Sequence, residues 1–478
     1  MAAASLSMPT VSVASRPGMC GVLCFLGDLF AISSAAAIAI AGRYLFHGNQ
    51  HLSLYARMSP ALLVFASVYA FHGLYPGITL SPVREIRQLT LSTTLVFAMF
   101  TALLFLSKQA GEFSRVAFLV AWLLTLFLVP LTRALLRSGL GRRSWWGYPV
   151  VVFGTRGSAR LIIEDLRRHP QVGLTPVAAF DDRPLPATMG DSYVPWLGDF
   201  GDAAAFAQRE GLTRALIAIP DLDGHRLEQI LDSQPQAFSR FYIFPEISGL
   251  SSLVVEPREL CNRVTLEVRR SLLLLECQVA KRCMDSILGL LLGVLFLPVM
   301  ALIAIMIRLE SPGPIFFTHR RIGHLGREFG VWKFRTMYRG GDRLLAEHFL
   351  KHPKDRIDWE REHKLRRDPR VTPLGRILRK TSLDELPQLW NVIRGNMSLV
   401  GPRPIVQEEV VKYGKSFGMY CRVIPGLTGL WQVSGRSHTT YQQRVAFDTY
   451  YVRNWSPWFD IYLLMRTFLV VLKGEGAY

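Results

Sequence analysis

Membrane α plus α/β is the fold class that the sequence predicts, and three observations predict it. Half of the 478 residues are hydrophobic and 19% are charged, against about 25% charged in an average soluble chain. Four apolar runs stand close together near the N-terminus, at 20–41, 60–75, 88–107 and 116–136. Short apolar runs alternating with helical patterns follow them, and a long apolar segment, 284–309, then stands at the head of a charged region. This composition argues against disorder, collagen and a coiled coil. Lys and Arg outnumber Asp and Glu by 18, a balance that suits an anionic partner: phosphates, nucleic acid or an acidic lipid surface. The cysteines are Cys20, Cys24, Cys261, Cys277, Cys283 and Cys421. None forms a CxxC pair or stands beside a histidine at zinc spacing, which argues against a disulfide scaffold and a structural zinc.

Residues 1–18 are rich in Ala and Ser and read as a flexible tail. They do not read as a cleaved signal: one Arg and a Pro-Gly precede the apolar stretch, and no small-residue cleavage site follows it. Residues 19–140 then hold four transmembrane helices. The second run is marginal for a span of about 20 residues unless Leu52–Tyr55 extend it. Arg16, Arg84, Arg87, Arg133, Arg137, Arg142 and Arg143 flank one side, against Arg43, Arg57, Lys108 and Arg115 on the other. That bias predicts a cytoplasmic N-terminus and a return to the cytoplasm near residue 138. The bundle reads as an anchor. Asp28 within the first span is either functional or paired to a neighbouring helix.

From Tyr148 the period changes. The run at 148–153 ends in Gly154-Thr-Arg-Gly157-Ser-Ala159, and a helical pattern through Leu161, Ile162 and Leu166 follows. Further apolar runs stand at 176–180, 215–219 and 241–244. Strands alternating with helices predict a parallel, Rossmann-like cytoplasmic domain over 146–250. The turn at Gly154 lies where a nucleotide phosphate would sit, and Asp181 ends the second strand, where a ribose-binding acid would stand. The loop lacks the full GxGxxG fingerprint, so a domain that has kept only the fold is the competing reading.

The third domain spans 262–478 and begins with the apolar segment. By length alone 284–309 is a fifth span. Lys281 and Arg282 precede it and Arg308 follows, so both ends are positive. Pro298 near its middle removes a backbone donor and kinks a helix. A straight crossing would also place everything after residue 310 outside the cell, away from a cytoplasmic substrate. The segment therefore reads as a re-entrant membrane helix.

Residues 311–380 carry 18 Lys or Arg and 8 Asp or Glu. The arginines come in separate short motifs without a nucleic-acid signature, which disfavours nucleic acid and favours a phosphate-bearing small molecule or lipid. Arg379-Lys-Thr-Ser-Leu-Asp384-Glu385-Leu-Pro-Gln-Leu-Trp-Asn391 is the most informative stretch. Leu383, Leu386 and Leu389 recur at helical spacing, so Asp384 and Glu385 fall in a first helical turn. Taken alone, Ser382-x-x-Glu385 is a capping box. In context, Arg379 lies one turn upstream, and Lys333-Phe-Arg335 and Gly401-Pro-Arg403-Pro404 are short basic motifs. An Asp among cations stays ionised, as a nucleophile must. A neighbouring Glu suits Mg²⁺, which takes one or two carboxylates plus substrate phosphates. The set describes phosphoryl transfer.

Over 281–478 the sequence resembles the bacterial sugar transferases, the polyprenol-phosphate hexose-1-phosphate transferases. The motifs that carry the resemblance are KRCMDSILGL (281–290), SPGPIFFTHRRIG (311–323), VWKFRTM (331–337), RDPRVTPLGRILRKTSLDELPQLWNVIRGNMSLVGPRP (367–404) and PGLTGLWQVSGR (425–436). The layout of four spans, a Rossmann-like domain and a transferase domain is similar to the family's long form. One departure is Leu297-Pro298, where relatives often have Ser-Pro.

The resemblance implies a mostly helical catalytic domain with a re-entrant membrane helix on the cytoplasmic face of the bacterial inner membrane. It implies transfer of a sugar-1-phosphate from a UDP-sugar to undecaprenyl phosphate with release of UMP, the first membrane step of O-antigen, capsule or exopolysaccharide synthesis. The implied mechanism is ping-pong through a phosphosugar on Asp384, with Glu385 as the Mg²⁺ ligand beside it. Lys333, Arg335 and Arg379 would contact phosphates, Arg403 the lipid phosphate, and Arg436 the nucleotide. For Arg403 a purely structural turn is the alternative. Arg320 and Arg321 suit either an interfacial anchor or a substrate contact. Galactose-1-phosphate is the sugar implied first, glucose-1-phosphate second, and a homodimer is implied as the assembly. Ser456–Lys473, with Trp455 and Trp458 at its start, reads as an amphipathic helix on the membrane surface. Trp431 is either interfacial or packed. Lys351–Arg367 reads as a solvated surface helix.

Overall fold

The computed structural model describes residues 16–47, 60–108, 113–182, 194–219, 222, 224–233, 237–244, 255–260, 263–268, 271–352, 356, 365, 368–434 and 439–473. The chain divides into two compact units, Met1–Ser248 and Gly249–Tyr478.

The first unit opens with helices α1 (Pro17–His47), α2 (Ala61–Phe71), α3 (Pro82–Leu106) and α4 (Arg115–Leu140). Three of these are long and apolar enough to cross a membrane. The exception is α2, whose 11 residues extend about 17 Å against a hydrocarbon core of about 30 Å. The second expected span is therefore short among the described residues. Helices α1 and α4 approach closely at Gly27, where a Cβ would stand 2.8 Å from Leu136. Arg133 on α4, 1% exposed, sits between two acids. Its Nη2 is 2.6 Å from Asp28 and its Nη1 2.9 Å from Glu85. Arg137 donates to the same Glu85 oxygen at 2.9 Å, and the Tyr75 hydroxyl donates to Asp28 at 2.7 Å. Two acids and two arginines cancel inside the bundle, so Asp28 has the structural role of a paired intramembrane charge. Arg133 and Arg137, which the sequence reading placed among the flanking loop cations, are held in this network.

Strands β1 (Tyr148–Phe153), β2 (Leu174–Phe180), β3 (Arg214–Ile217) and β4 (Arg240–Ile243) form one parallel sheet in the order β2-β1-β3-β4. Helices α5 (Ser158–Arg168), α6 (Asp202–Glu210) and α7 (Gly224–Ser233) connect them. Apolar residues cover both faces: Val151, Phe153, Phe180 and Phe206 on one side, Val150, Val152, Ile163 and Leu166 on the other. Continuous apolar strands are what a doubly covered parallel sheet requires. Gly154 ends β1 at φ 108°, and a Cβ there would meet the Ala218 carbonyl at 2.6 Å. Asp181 does not stand open as a ribose acceptor would: its Oδ2 takes hydrogen bonds from Thr155 N at 2.9 Å and Thr155 Oγ1 at 2.7 Å.

The second unit begins with the antiparallel hairpin β5 (Val255–Leu260) and β6 (Arg263–Val268). Helix α8 (Leu275–Glu310) is a single 36-residue helix with Pro298 inside it. Both of its halves pack on the same unit. Gly289 would place a Cβ 3.1 Å from Val392, and Ile303 and Ile307 join Phe334 and Leu378 in one cluster. Its remaining face is exposed and apolar: Ile287, Leu290, Leu291, Val294, Leu302 and Ile305. Hairpin β7 (Phe316–Ile322) and β8 (Glu328–Phe334) follows. Then come α9 (Gly341–Lys351), α10 (Pro373–Thr381), α11 (Gln388–Arg394), the short parallel pair β9 (Ser398–Val400) and β10 (Gly426–Thr428), α12 (Tyr441–Arg453) and α13 (Pro457–Lys473). Most of the expected charged helix at 351–367 lies outside the described residues. Trp455 is in the core rather than at a surface: it is 1% exposed, and its indole donates to the buried Asp460 at 3.0 Å. Trp458 is half-buried.

Candidate active site

Helix α10 carries the site, and its start is fixed by its own sequence. Thr372 accepts from Gly375 N at 2.9 Å as N-cap, and Pro373 follows at the first helical position, where a missing N–H costs nothing. The helix lies directly on the end of β8. A Cβ at Gly375 would stand 2.2 Å from the Thr336 carbonyl oxygen, so only glycine fits. Gly375→Ala is expected to destabilise the second unit by about 1–3 kcal/mol through overpacking and to lower activity by tilting α10. Thermal melting beside an activity assay checks this, and an unchanged melting temperature counts against it.

The helix ends at Ser382, a non-glycine residue at φ 56°. A left-handed serine costs about 1–2 kcal/mol, the kind of strain found where a site needs a particular turn. Asp384 and Glu385 stand on the 3₁₀ turn Leu383–Glu385 that follows, and α11 starts only at Gln388. The capping box expected from Ser382 and Glu385 is therefore absent: Ser382 makes no side-chain cap and instead ends α10 in the left-handed conformation. Leu383 and Leu386 pack into the cluster beneath, and Leu389 is buried.

Lys333 on β8 joins the two acids. Its Nζ is 2.6 Å from Glu385 Oε1 and 4.0 Å from Asp384 Oδ2. Asn391 of α11 holds that strand in place. It accepts from Trp332 N at 3.0 Å and donates to the Gly330 carbonyl at 2.7 Å. Asp384 is 9% exposed. Burial raises its carboxyl pKa to about 6, with Lys333 and Arg379 opposing and Glu385 adding to the rise. Desolvation is the larger effect and the cations oppose it, and a value near 6 leaves the carboxylate the main form at neutral pH.

The other expected contacts are distributed differently. Arg379 is half-buried, and its Nε donates to Thr336 Oγ1 at 2.9 Å. Arg335 points to the end of α8, donating to the Ser311 carbonyl at 2.6 Å and the Pro312 carbonyl at 3.2 Å. It staples the strand to the end of α8. Arg403 lies in the turn after β9, its guanidinium 5.5 Å from the Trp431 ring centre. Trp431 is thus a packing partner for a cation. Arg436 lies outside the described residues. Arg320 is exposed, 3.9 Å from Glu328. Asn391 and Thr336 were not singled out in the sequence, although both lie in the motifs that mark the site.

Among the described residues no cluster of three or more His, Cys, Asp or Glu side chains could hold a metal. Asp384 and Glu385 offer two adjacent carboxylates. That donor set fits Mg²⁺, a hard cation that keeps waters and takes substrate phosphates as further ligands.

A buried acid beside a lysine-bridged second acid offers the kind of charges that phosphoryl transfer uses. Comparison with known proteins gives the class of the chain. The family described as bacterial sugar transferase matches residues 276–474, and a CoA-binding domain family matches residues 70–245. The undecaprenyl-phosphate galactose phosphotransferase of Salmonella typhimurium is 33% identical, covering 81% of this chain and 81% of its own length. The UDP-galactose-lipid carrier transferase of Erwinia amylovora is 33% identical over 77% of each chain. The UDP-glucose:undecaprenyl-phosphate glucose-1-phosphate transferase of Escherichia coli is 31% identical over 74% of each. The chain belongs to the bacterial sugar transferase family.

Proposed function

We propose that the protein transfers hexose-1-phosphate from a UDP-sugar to undecaprenyl phosphate and releases UMP, through a phosphosugar on Asp384. The observation that carries this reading is Asp384 itself, buried beside the Lys333–Glu385 pair. Its carboxylate attacks the sugar-bearing phosphorus. The bond from that phosphorus to the bridging oxygen breaks, and UMP leaves with the electron pair. An oxygen of the lipid phosphate then attacks the same phosphorus and frees the carboxylate. Two anionic substrates thus never share the site. Lys333 and Arg379 offset charge on the phosphoryl oxygens, and Arg403 holds the lipid phosphate. Glu385, with Asp384 beside it, would hold Mg²⁺, which supplies charge neutralisation of the diphosphate.

Helix α8 is the membrane element of this domain. Packing of both its halves on one unit suits a helix that leaves the bilayer on the side it entered, and its exposed apolar face suits lipid. The domain then works on the cytoplasmic face of the inner membrane, and the protein acts as a homodimer in polysaccharide synthesis. Galactose is the first choice of sugar, supported by the names of the Salmonella and Erwinia relatives. The Escherichia coli relative keeps glucose as the second. UMP release from UDP-galactose and UDP-glucose, run in parallel with undecaprenyl phosphate and Mg²⁺, tests the reading. Lipid-dependent release is expected with galactose. Release with glucose alone reassigns the sugar, and release with neither removes the proposal.

A further inference from the structure

A second cationic site stands beyond the Asp384 dyad, on the same face of the β7–β8 hairpin. Phe317 pairs with Lys333 across the hairpin, so Lys333, Phe317, His319 and Arg321 share a face. Four residues along a strand span about 13 Å, which sets Arg321 apart from Lys333 as a separate anchoring point. His319, between them, has its pKa lowered by burial and then by both Arg321 and Lys333.

The end of β7 is sewn to the segment after the Gly401-Pro-Arg403-Pro404 turn. Ile322 N donates to the Ile405 carbonyl at 2.8 Å. The Tyr420 hydroxyl donates to the Ile322 carbonyl at 2.7 Å and accepts from Ile405 N at 3.3 Å. This stitching brings Arg321 and Arg403 together. Burial, and next the charge of Arg403, hold the Arg321 guanidinium below its ordinary range.

A third guanidinium backs the pair. Arg444 of α12 is 9% exposed. Its carbon lies 4.5 Å from the Trp431 ring centre and 5.2 Å from that of Tyr441. Its Nη1 donates to Glu409 at 3.3 Å, while its Nε and Nη2 have no hydrogen-bond partner. Trp431 therefore carries Arg444 and Arg403 on its ring. Glu409 is the one acid paired with these arginines among the described residues, and its contact with Arg321 is loose, at 3.9 Å. Of the other nearby acids, Glu408 faces His319, and Asp448 is buried and accepts from the Tyr413 hydroxyl at 2.7 Å. Arg403 has no acid paired to it among the described residues and Arg321 only the loose contact to Glu409, so these two guanidiniums keep charge to offer an anion.

We propose that Arg321 and Arg403 form a two-guanidinium clamp for a phosphate group, backed by Trp431 and Arg444, with Arg321 a phosphate-binding residue in its own right. Planar guanidiniums grip phosphate oxygens by paired hydrogen bonds. The inference rests on the proposed reaction, in which Arg403 is assigned to the head of the lipid acceptor; the nucleotide phosphate of the donor is the other source, and the test distinguishes the two.

The test is Arg321→Gln, with Arg321→Lys as the conservative partner, in the full-length protein. KM is measured separately for UDP-galactose and undecaprenyl phosphate. A rise on the order of tenfold in one KM, with kcat within about threefold and an unchanged melting temperature, supports the clamp and names the source. Lysine keeps the charge but loses the fork, so it is expected to recover part of the loss. Two unchanged KM values, or a fall in kcat alone, overturn the clamp. Calorimetric binding of UMP and of farnesyl phosphate needs no turnover and separates this inference from the reaction. A wild-type protein that binds one probe through Arg321 yet releases no UMP keeps the clamp and loses the reaction. Binding of neither probe by the wild type, or equal binding by Arg321→Gln, overturns the clamp.

Discussion

Asp384→Asn is expected to lower UMP release by at least about a thousandfold while the protein melts at the same or a higher temperature. The amide keeps the shape and removes the nucleophile, so the first half-reaction stops. Stability moves the other way because the carboxylate is buried. Its pKa stands raised to about 6, above the usual aspartate value. The folded state therefore binds this proton more tightly than the unfolded state does. The resulting stability is present at low pH and is lost as the pH rises from about 4 through about 6. At neutral pH the charged group carries its full desolvation cost, and asparagine removes it. The same acid gives the wild-type enzyme an acidic limb. Below pH about 6, kcat/KM is expected to fall tenfold per unit as the nucleophile takes a proton. Asp448 is also raised to about 6 by burial, so Asp448→Asn is the control: its limb should stay in place. A limb near pH 4, or more than a tenth of the activity left in Asp384→Asn, would reject the assignment.

The sequence made some of this legible and hid the rest for identifiable reasons. The parallel sheet was readable because buried strands need continuous apolar runs, and β1 falls on the run 148–153. The dyad was readable because adjacent acids among short basic motifs are uncommon. Spacing could not tell an N-cap for the next helix from a left-handed C-cap of the one before at Ser382. Membership of the basic motifs also did not fix contacts to Asp384: strand and helix geometry turn Arg335 toward Ser311 and Arg379 toward Thr336. Burial then outweighs the cation that remains. The pairing of Arg321 with Arg403 depends on the backbone bond between Ile322 and Ile405, which no local pattern encodes. Trp455 carried the composition of a membrane-interface residue, and its buried partner Asp460 made it a core residue instead.

Lys281→Met is expected to destabilise the second unit by about 3–5 kcal/mol, more than any neutralisation of its partner. Lys281 on α8 donates to Asp460 at 2.7 Å and to the Val400 carbonyl at 3.0 Å. Asp460, 0% exposed, also accepts from the Tyr451 hydroxyl at 2.8 Å and the Trp455 indole at 3.0 Å. The cluster joins the long apolar helix α8, strand β9 and helix α13 at one point, next to the Gly401–Pro404 turn that carries Arg403. Removing Lys281 leaves Asp460 buried with neutral donors only. Removing the charge of Asp460 is milder, because Lys281 still has Asp285 at 3.7 Å. Asp460→Asn should therefore cost less than Lys281→Met, and Lys281→Met with Asp460→Leu should recover part of the loss by removing the unpaired charge. Acid should help the single variant in the same sense. Burial already raises the Asp460 pKa, with Lys281 opposing; without Lys281 it rises further, so the deficit shrinks as the pH falls and Asp460 takes a proton. For a unit of this size the loss corresponds to a melting shift on the order of 10 °C. The three variants melted at pH 5 and pH 8 decide the matter. A double variant no more stable than Lys281→Met, or a deficit equal at both pH values, would show that Lys281 acts through packing of its alkyl stem. In that case the charge on Asp460 would play no part in holding α8 to the catalytic turn.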